Sequence, residues 1–339
     1  MEQTAPARVF SRTTVIIIVL GVIGIVLFSD VPVNLFTVAW QHLTVFATVF
    51  LSIFIEALPF LMLGTLASGL VEVYLTPEHM QRWLPRRALP AALVGALLGM
   101  VFPVCECGVV PLTRRIFRKG LPLSTGVSFL LAAPVINPIV IFSTAAAFGW
   151  GRMLFWRVGM SFVIAVAAGL IFAAEKNPAS ILSIPLATID PALELPLAAS
   201  AETRIEKIRR ALLISADDFF DMGRYLVIGG ALAGAVQSFV PQAALLAIGN
   251  GPVTSVLVML ALAVLLSICS TVDAFVALGF SGTFSFGAVL SFLVFGPMVD
   301  IKSTLMYLQV FRRRPVAYLV LLPFLMSLLL GLLMNYFGT

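Results

Sequence analysis

Most of this chain is a succession of apolar runs too long for a soluble core. TTVIIIVLGVIGIVLF, from Thr13 to Phe28, is one of them, and others follow near residues 43–75, 88–110, 121–149, 152–174, 219–240, 252–279, 284–311 and 316–337. A bilayer is spanned by roughly 20 apolar residues in a helix. Lipid offers no partner for backbone polar groups, so only helices and closed barrels can cross it. These runs are continuous rather than alternating, which predicts helices. Charged residues make up 11% of the chain, less than half the roughly 25% of soluble domains. The expectation is an all-α polytopic membrane protein with about 7–9 membrane segments.

The first run follows Arg8 and Arg12 and has no small-residue cleavage site, so it reads as a retained helix, the N-terminal unit of residues 1–42. Residues 43–174 form a first transmembrane repeat. Residues 175–218 combine a Pro/Ala-rich linker with an amphipathic basic helix, and residues 219–339 form a second repeat. The net charge of +5 comes from basic residues in short loops, the mark of cytoplasmic loops rather than of nucleic-acid binding.

Sidedness then exposes a conflict. If every run crossed, Arg82, Arg86 and Arg87 would lie on one side and Arg114, Arg115, Arg118 and Lys119 on the other. Both clusters should be cytoplasmic. The conflict disappears if residues 88–117 enter, turn near Pro103–Gly108 and return. A half-helix of ~14 residues rises about 21 Å, enough to pass the midplane. Treating 252–279 in the same way, with its tip near Ser267–Asp273, brings Arg312–Arg314 to the cytoplasm and leaves Arg152 and Arg157 as exceptions.

An internal repeat supports that treatment. SFLLAAPVIN (Ser128–Asn137) matches SFLVFGPMVD (Ser291–Asp300), Cys105 matches Cys269, and Glu56, Gly64 and Gly69 match Asp221, Gly229 and Gly234. Each half would cross three times, and an odd number inverts the second copy. The expected architecture is therefore two inverted repeats, each with a broken or re-entrant helical hairpin, a common plan for transporters.

All the cysteine in the chain, Cys105, Cys107 and Cys269, falls at the two expected hairpin tips. Singly, each thiol could be a small packing residue. Together they suggest a thiol-lined site in the middle of the membrane. Ionisable groups inside a membrane mark pathways and proton relays. Glu106 and Asp273 lie at the tips, while Glu56, Asp221 and Asp300 lie within apolar runs. Lys302 near Asp300, and Arg224 one turn from Asp221, leave a structural ion-pair reading open for those two. Asp217 and Asp218 sit at a segment entrance and have an interfacial reading, and Arg114–Lys119 reads first as a topology anchor. Asn137 and Asp300 each follow a proline by three residues, as where an unwound helix centre offers polar groups to a solute. The candidate solute-binding set is Cys105, Glu106, Cys107, Asn137, Cys269, Asp273 and Asp300. Glu56, Glu106 and Asp221 are candidates for proton coupling. With two histidines, His42 and His79, a structural zinc site is not expected, and the identity of any metal is left open. No cofactor is called for, and no G-x-x-x-x-G-K-[ST] motif occurs, so any ATPase would be a separate subunit.

The block PVCECGVVPLTRRIFRKGLPLSTGVSFLLAAPVINPIVIFST, with CSTVDAFVALGF and FLVFGPMVDIKSTLMY, resembles the bacterial ArsP-like permeases over about residues 43–337. The resemblance implies a multi-pass permease of the bacterial cytoplasmic (inner) membrane rather than an enzyme. The members of that family best known for function export trivalent organoarsenicals such as methylarsenite, with cysteines binding the arsenic, while most have no assigned substrate. Cys105, Cys107 and Cys269 would be those positions here. Soft thiolates suit such a centre. Other readings stay open: a permease for a sulfur-containing anion or a soft metal ion, a membrane subunit of a larger envelope complex, and a membrane thiol–disulfide enzyme. Expected partners are a small-molecule or metalloid substrate and membrane lipid, with no nucleic acid. A homo-oligomer or a membrane partner subunit is left open.

Overall fold

The computed structural model describes residues 33–75, 85, 87–102, 104–175, 181–183, 203–239 and 251–337. Most of the first expected helix, most of the Pro/Ala-rich linker, and Arg82, Arg86 and Pro103 lie outside the described residues. The chain divides into two compact units, Met1–Val45 and Phe46–Thr339. The site described below lies in the second.

The described residues are helical, without a β-strand, and the helices run in a repeated order. α1 (Val33–Tyr74) is followed by α2 (Ala88–Val101), α3 (Glu106–Arg118), α4 (Leu123–Ile136), α5 (Pro138–Phe148) and α6 (Arg152–Ala173). The order then recurs as α7 (Arg204–Phe239), α8 (Pro252–Leu266), α9 (Asp273–Phe280), α10 (Phe286–Phe295), α11 (Ile301–Val310) and α12 (Arg313–Phe337). The amphipathic basic stretch and the run that follows it form one unbroken helix, α7. Among the described residues, five stretches are long and apolar enough to cross a membrane: Thr37–Tyr74, Leu123–Phe148, Arg152–Ala173, Arg204–Phe239 and Arg313–Phe337. α2 and α3, of 14 and 13 residues, rise only about 20 Å each, short of a ~30 Å hydrocarbon core.

Side-chain contacts fix which helix ends lie together. Phe311 packs edge-on against Phe117 and Phe172, with ring centroids 5.8 and 6.4 Å apart, so the ends of α3, α6 and α11 share one end of the bundle. The backbone N–H of Arg312 donates to Ile181 O at 2.9 Å there. At the other end the Arg152 guanidinium lies 5.5 Å from the Phe286 ring centroid, and Asn335 Nδ2 donates to Pro252 O at 2.9 Å. This second end gathers the starts of α6, α8 and α10 and the finish of α12.

The first hairpin can be placed against this frame. Gly95 of α2 meets Thr125, and Gly99 meets Ala133, so α2 runs alongside α4 from the first end inward. It stops at Phe102, where the backbone turns extended. Asn137 Nδ2 donates to Val104 O at 3.3 Å, which ties the break to the middle of the α4–α5 pair. α3 then runs back until Phe117 fills the space beside Gly126. Both arms therefore open toward the first end, with α4 packed on each. The second hairpin does the same from the opposite end. Ser255 and Ser285 hydroxyls lie 3.0 Å apart, Ala263 reaches Gly296, and α9 returns so that Phe280 packs on Phe284 and Phe292.

Matched residues make matched contacts. Asn137 caps α5 by accepting from the Val140 N–H at 3.0 Å, and Asp300 caps α11 by accepting from the Ser303 N–H at 2.6 Å. In each case a short polar side chain satisfies a backbone donor left bare by the helix start. A Cβ on Gly169 would collide with Ser128 Oγ, and one on Gly331 would collide with Ser291 Oγ. Gly69 abuts Ala211 and Ser215, while Gly234 abuts Phe46 and Phe50. Ala211 and Ser215 are the repeat counterparts of Phe46 and Phe50, so α1 and α7 exchange equivalent contacts.

Candidate functional site

The two hairpin tips meet in the interior. Cys105 is the N-cap of α3, with extended backbone (φ −83, ψ 178) that aims the following helix N-terminus inward. Cys269 lies in the break between α8 and α9. The Cys105 thiol is within hydrogen-bonding reach of both Cys107 and Cys269. All three are free and buried. The thiols adjoin in pairs through Cys105. Among the described residues, no group of three or more His, Cys, Asp and Glu side chains is arranged to hold a metal ion. α1 presses on this site through Gly64, where a Cβ would collide with the backbone of Gly108.

A buried charge cluster lies level with the thiols, at the starts of α3 and α11, the helices that lead to the first end. Lys302 Nζ lies 3.1 Å from Glu106 Oε1, 3.3 Å from Asp300 Oδ2, and donates to Ser267 O at 2.9 Å. One ammonium thereby joins the first tip, the second tip and the cap of α11. Glu106 Oε2 is buried and has no hydrogen-bond partner among the described residues, and the same is true of Ser270 Oγ in the second tip. Glu56 reaches toward Thr271 from α1, with its own Oε1 buried and unpartnered. Two carboxyl groups therefore share one ammonium.

A second cluster lies toward the other end. Arg157 is fully buried, pairs with Asp273 Oδ2 at 2.6 Å through Nη2, and donates from Nη1 to Thr144 Oγ1 at 2.8 Å. Both clusters join the two halves crosswise. α3 of the first half packs on α11 of the second, and α9 of the second half packs on α5 of the first.

Cys105, Glu106, Cys107, Asn137, Cys269 and Asp300 thus surround one interior region, with Glu56 at its edge. Asn137 and Asp300 face it as helix caps; the Asn137 side chain is committed to backbone groups, and that of Asp300 is shared between the Ser303 N–H and Lys302. Asp273 is engaged by Arg157. Asp221 lies apart: its side chain is 43% exposed, pairs with Arg224, and is 3.6 Å from Arg114. Its neighbour Asp218 is instead almost fully buried, accepts two hydrogen bonds from Arg115 at 3.1 and 2.8 Å, and takes a third from Ser68 at 2.8 Å. The sequence reading separates these two aspartates the other way, with Asp221 inside an apolar run and Asp218 at a segment entrance. Helical register reverses it, because Asp218 lies one turn from Ser215, which faces α1.

Arg157 and Lys302 are the functional candidates that sequence reasoning left out. Arg157 carried a signal, since it broke the charge rule for loops. It breaks that rule because it is an interior residue with its own carboxylate. Arg152 breaks it because it sits at the second end over an aromatic ring.

Residues 42–336 match the model of a family described as "Predicted permease". The chain belongs to that family. The permease is 43% identical over 275 residues to the UPF0718 protein YcgR of Bacillus subtilis, covering 80% of this chain and 91% of that protein. It is 40% identical over 270 residues to a putative two-component membrane permease complex subunit of Streptococcus mutans, covering 78% and 87%. A shorter likeness, 34% over 77 residues, joins it to the UPF0718 protein MJ0584 of Methanocaldococcus jannaschii. No solved structure matches the permease. Family and helices together make it a multi-pass membrane protein, a transporter rather than an enzyme.

Proposed function

We propose that the permease carries a soft, thiol-reactive solute, of which a trivalent organoarsenical such as methylarsenite is the leading example, out of the cell across the bacterial inner membrane. The observation that carries this reading is the junction of Cys105 with both Cys107 and Cys269 between two broken hairpins. A monomethylated trivalent arsenic has two exchangeable ligands, and Cys105 has two thiol neighbours. Two thiols and CH3As(OH)2 give a dithio-adduct and two waters. Each thiol proton leaves with a hydroxide, and Glu106 Oε2, buried and unpartnered, is placed to relay it. Glu106 and Asp300, sharing one ammonium, invite one proton, on which a proton gradient can act.

The halves are inverted repeats in this reading, each with one re-entrant hairpin and three crossings. Support comes from the exchanged α1–α7 contacts, the paired caps at Asn137 and Asp300, and the opening of the hairpins toward opposite ends. The first end is cytoplasmic, because Arg114, Arg115, Arg118, Lys119 and Arg312–Arg314 gather there.

The test is uptake of methylarsenite into everted vesicles under a proton gradient. Gradient-dependent uptake by the unaltered chain, lost in Cys105→Ser and Cys269→Ser, is the expected result. Uptake that persists in both variants would sink the thiol site. A second reading is favoured by the Streptococcus mutans relative, whose description is that of one subunit of a two-component permease complex. There the chain needs a membrane partner, and purified protein reconstituted alone would show no uptake.

A further inference from the structure

α1 and α7 pack on each other around Gly69 and again around Gly234, and the two contacts are equivalent but not equally filled. Near Gly234, Phe50 lies over Gly230, its ring 3.6 Å from where a Cβ would stand. Near Gly69, Ser215 takes the place of Phe50 and Thr65 that of Gly230. Ala216 likewise takes the place of Leu51. Two large side chains are absent there, and a cavity of about 250 Å3 remains, walled by Met62 and Leu66 of α1 and by Leu212, Ala216, Phe219 and Phe220 of α7. It opens to the outside of the bundle, where Met62, Leu212 and Phe220 are exposed.

The cavity offers nothing to water. Its two hydroxyls are spent on their own helices, Thr65 Oγ1 donating to Met62 O at 3.0 Å and Ser215 Oγ to Ala211 O at 2.7 Å. A cavity without free polar partners stays dry and takes apolar guests. Both walls belong to helices long and apolar enough to span, so hydrocarbon lies against the opening. The same face of α7 continues toward the first end through Ile208 to Arg209, both exposed. Arg209 precedes Phe220 by eleven residues, about three turns, so the two share a face. The rise between them is about 16 Å, close to the ~15 Å of hydrocarbon in one leaflet. The first turns of α7 are basic, with Arg204, Lys207, Arg209 and Arg210 against Glu206, whose carboxylate accepts from the Thr203 N–H at 2.8 Å.

We propose that this groove seats one anionic phospholipid from the leaflet at the first end, with an acyl chain between α1 and α7 and the phosphate on Arg209. The chain fills the place that Phe50 and Leu51 fill at the equivalent contact. The guanidinium gives the phosphate charge-assisted hydrogen bonds at the depth where a headgroup lies. The site is separate from the thiols and does not depend on which solute the permease carries.

The full-length protein in a mild detergent is given phosphatidylglycerol or phosphatidylcholine with the same acyl chains, and native mass spectrometry counts lipids per chain. The unaltered protein should hold one phosphatidylglycerol about fivefold more tightly than phosphatidylcholine, equivalent to about 1 kcal/mol for one basic residue beside a headgroup. Arg209→Gln should abolish that preference and keep the weaker binding of the chain. Ala216→Leu restores the side chain of the equivalent contact and should weaken both lipids alike. Arg314→Gln, a change of an exposed basic residue at the same end but off the groove, should leave both affinities as they are. Arg209 and Ala216 are exposed, so both variants should fold, which a thermal melt checks. Binding unaffected by Ala216→Leu overturns the proposal. So does a preference that survives Arg209→Gln or that falls equally in Arg314→Gln. A mass of two chains that reverts to one in Ala216→Leu would also overturn it, because the occupant would then be a second copy.

Discussion

Lys302 and Glu106 meet across the two halves of the chain, Nζ to Oε1 at 3.1 Å, with each side chain 2% exposed. Their residues are nearly 200 positions apart in sequence, yet the contact is closer than that between Lys302 and Asp300 two residues away at 3.3 Å. The ammonium therefore belongs to the junction of the halves as much as to the cap of α11. Removing one partner of a buried pair costs about 3–5 kcal/mol, because the other charge remains. Lys302→Met should lower the thermal midpoint of the purified protein strongly. Adding Glu106→Gln should recover some of the loss, since one of the two bare carboxylates becomes neutral. A double variant as unstable as the sum of the singles would show that the pair is not coupled.

Asp218 and Asp221 should differ sharply although they stand one turn apart on α7. Asp218 ties Arg115 of α3 and Ser68 of α1 to that helix from a buried position. Asp218→Asn should cost about 2 kcal/mol or more, the scale of a charge-assisted buried network. Asp221→Asn should cost under about 1 kcal/mol, as for exposed ion pairs. Denaturation curves in one detergent would compare them directly.

How much of this was legible follows from what each residue type reveals on its own. The Pro-x-x-Asn and Pro-x-x-Asp stretches marked the helix breaks, because proline and a capping side chain act locally and leave a local trace. The sidedness conflict between Arg82–Arg87 and Arg114–Lys119 pointed to a break within residues 88–117, and the helices do part between Val101 and Glu106. The Asp300 partner of Lys302, two residues away, was legible, but Glu106 as its second partner and Asp273 as the partner of Arg157 were not. Those two carboxylates lie on other helices, and which faces meet across a bundle depends on packing rather than on spacing. The same limit reversed the reading of Asp218 and Asp221, since a place within an apolar run does not say which face of the helix is covered.

The matched packing of the halves predicts an asymmetry between two equivalent glycines. A Cβ at Gly169 meets Ser128 Oγ and, at 2.6 Å, the Ser124 carbonyl; one at Gly331 meets Ser291 Oγ and, at 3.1 Å, the Gly287 carbonyl. Both Gly169→Ala and Gly331→Ala should destabilise by about 1–3 kcal/mol, the usual cost of overpacking. Removing the hydroxyl should help unequally. Ser291→Ala should largely restore Gly331→Ala, while Ser128→Ala should restore Gly169→Ala only partially, because the closer carbonyl is backbone and cannot be trimmed. Thermal melting of the four single and two double variants would read this. Equal rescue at both sites would contradict the packing.

Contact between the hairpin tips gives the most direct test of how the halves meet. In a Cys107→Ser background the two remaining thiols, Cys105 and Cys269, belong to different halves and adjoin. A protease site placed within residues 184–202 lets the halves be separated after the reaction. Copper phenanthroline with oxygen takes two electrons and two protons from the thiols and leaves a disulfide. After cleavage the halves should migrate together on a non-reducing gel, and apart once a reductant is added. Cys269→Ser in the same background should abolish the linked band. If the halves separate after oxidation of a folded, cleaved protein, the tips do not meet, and the thiol site in the middle of the membrane has no basis.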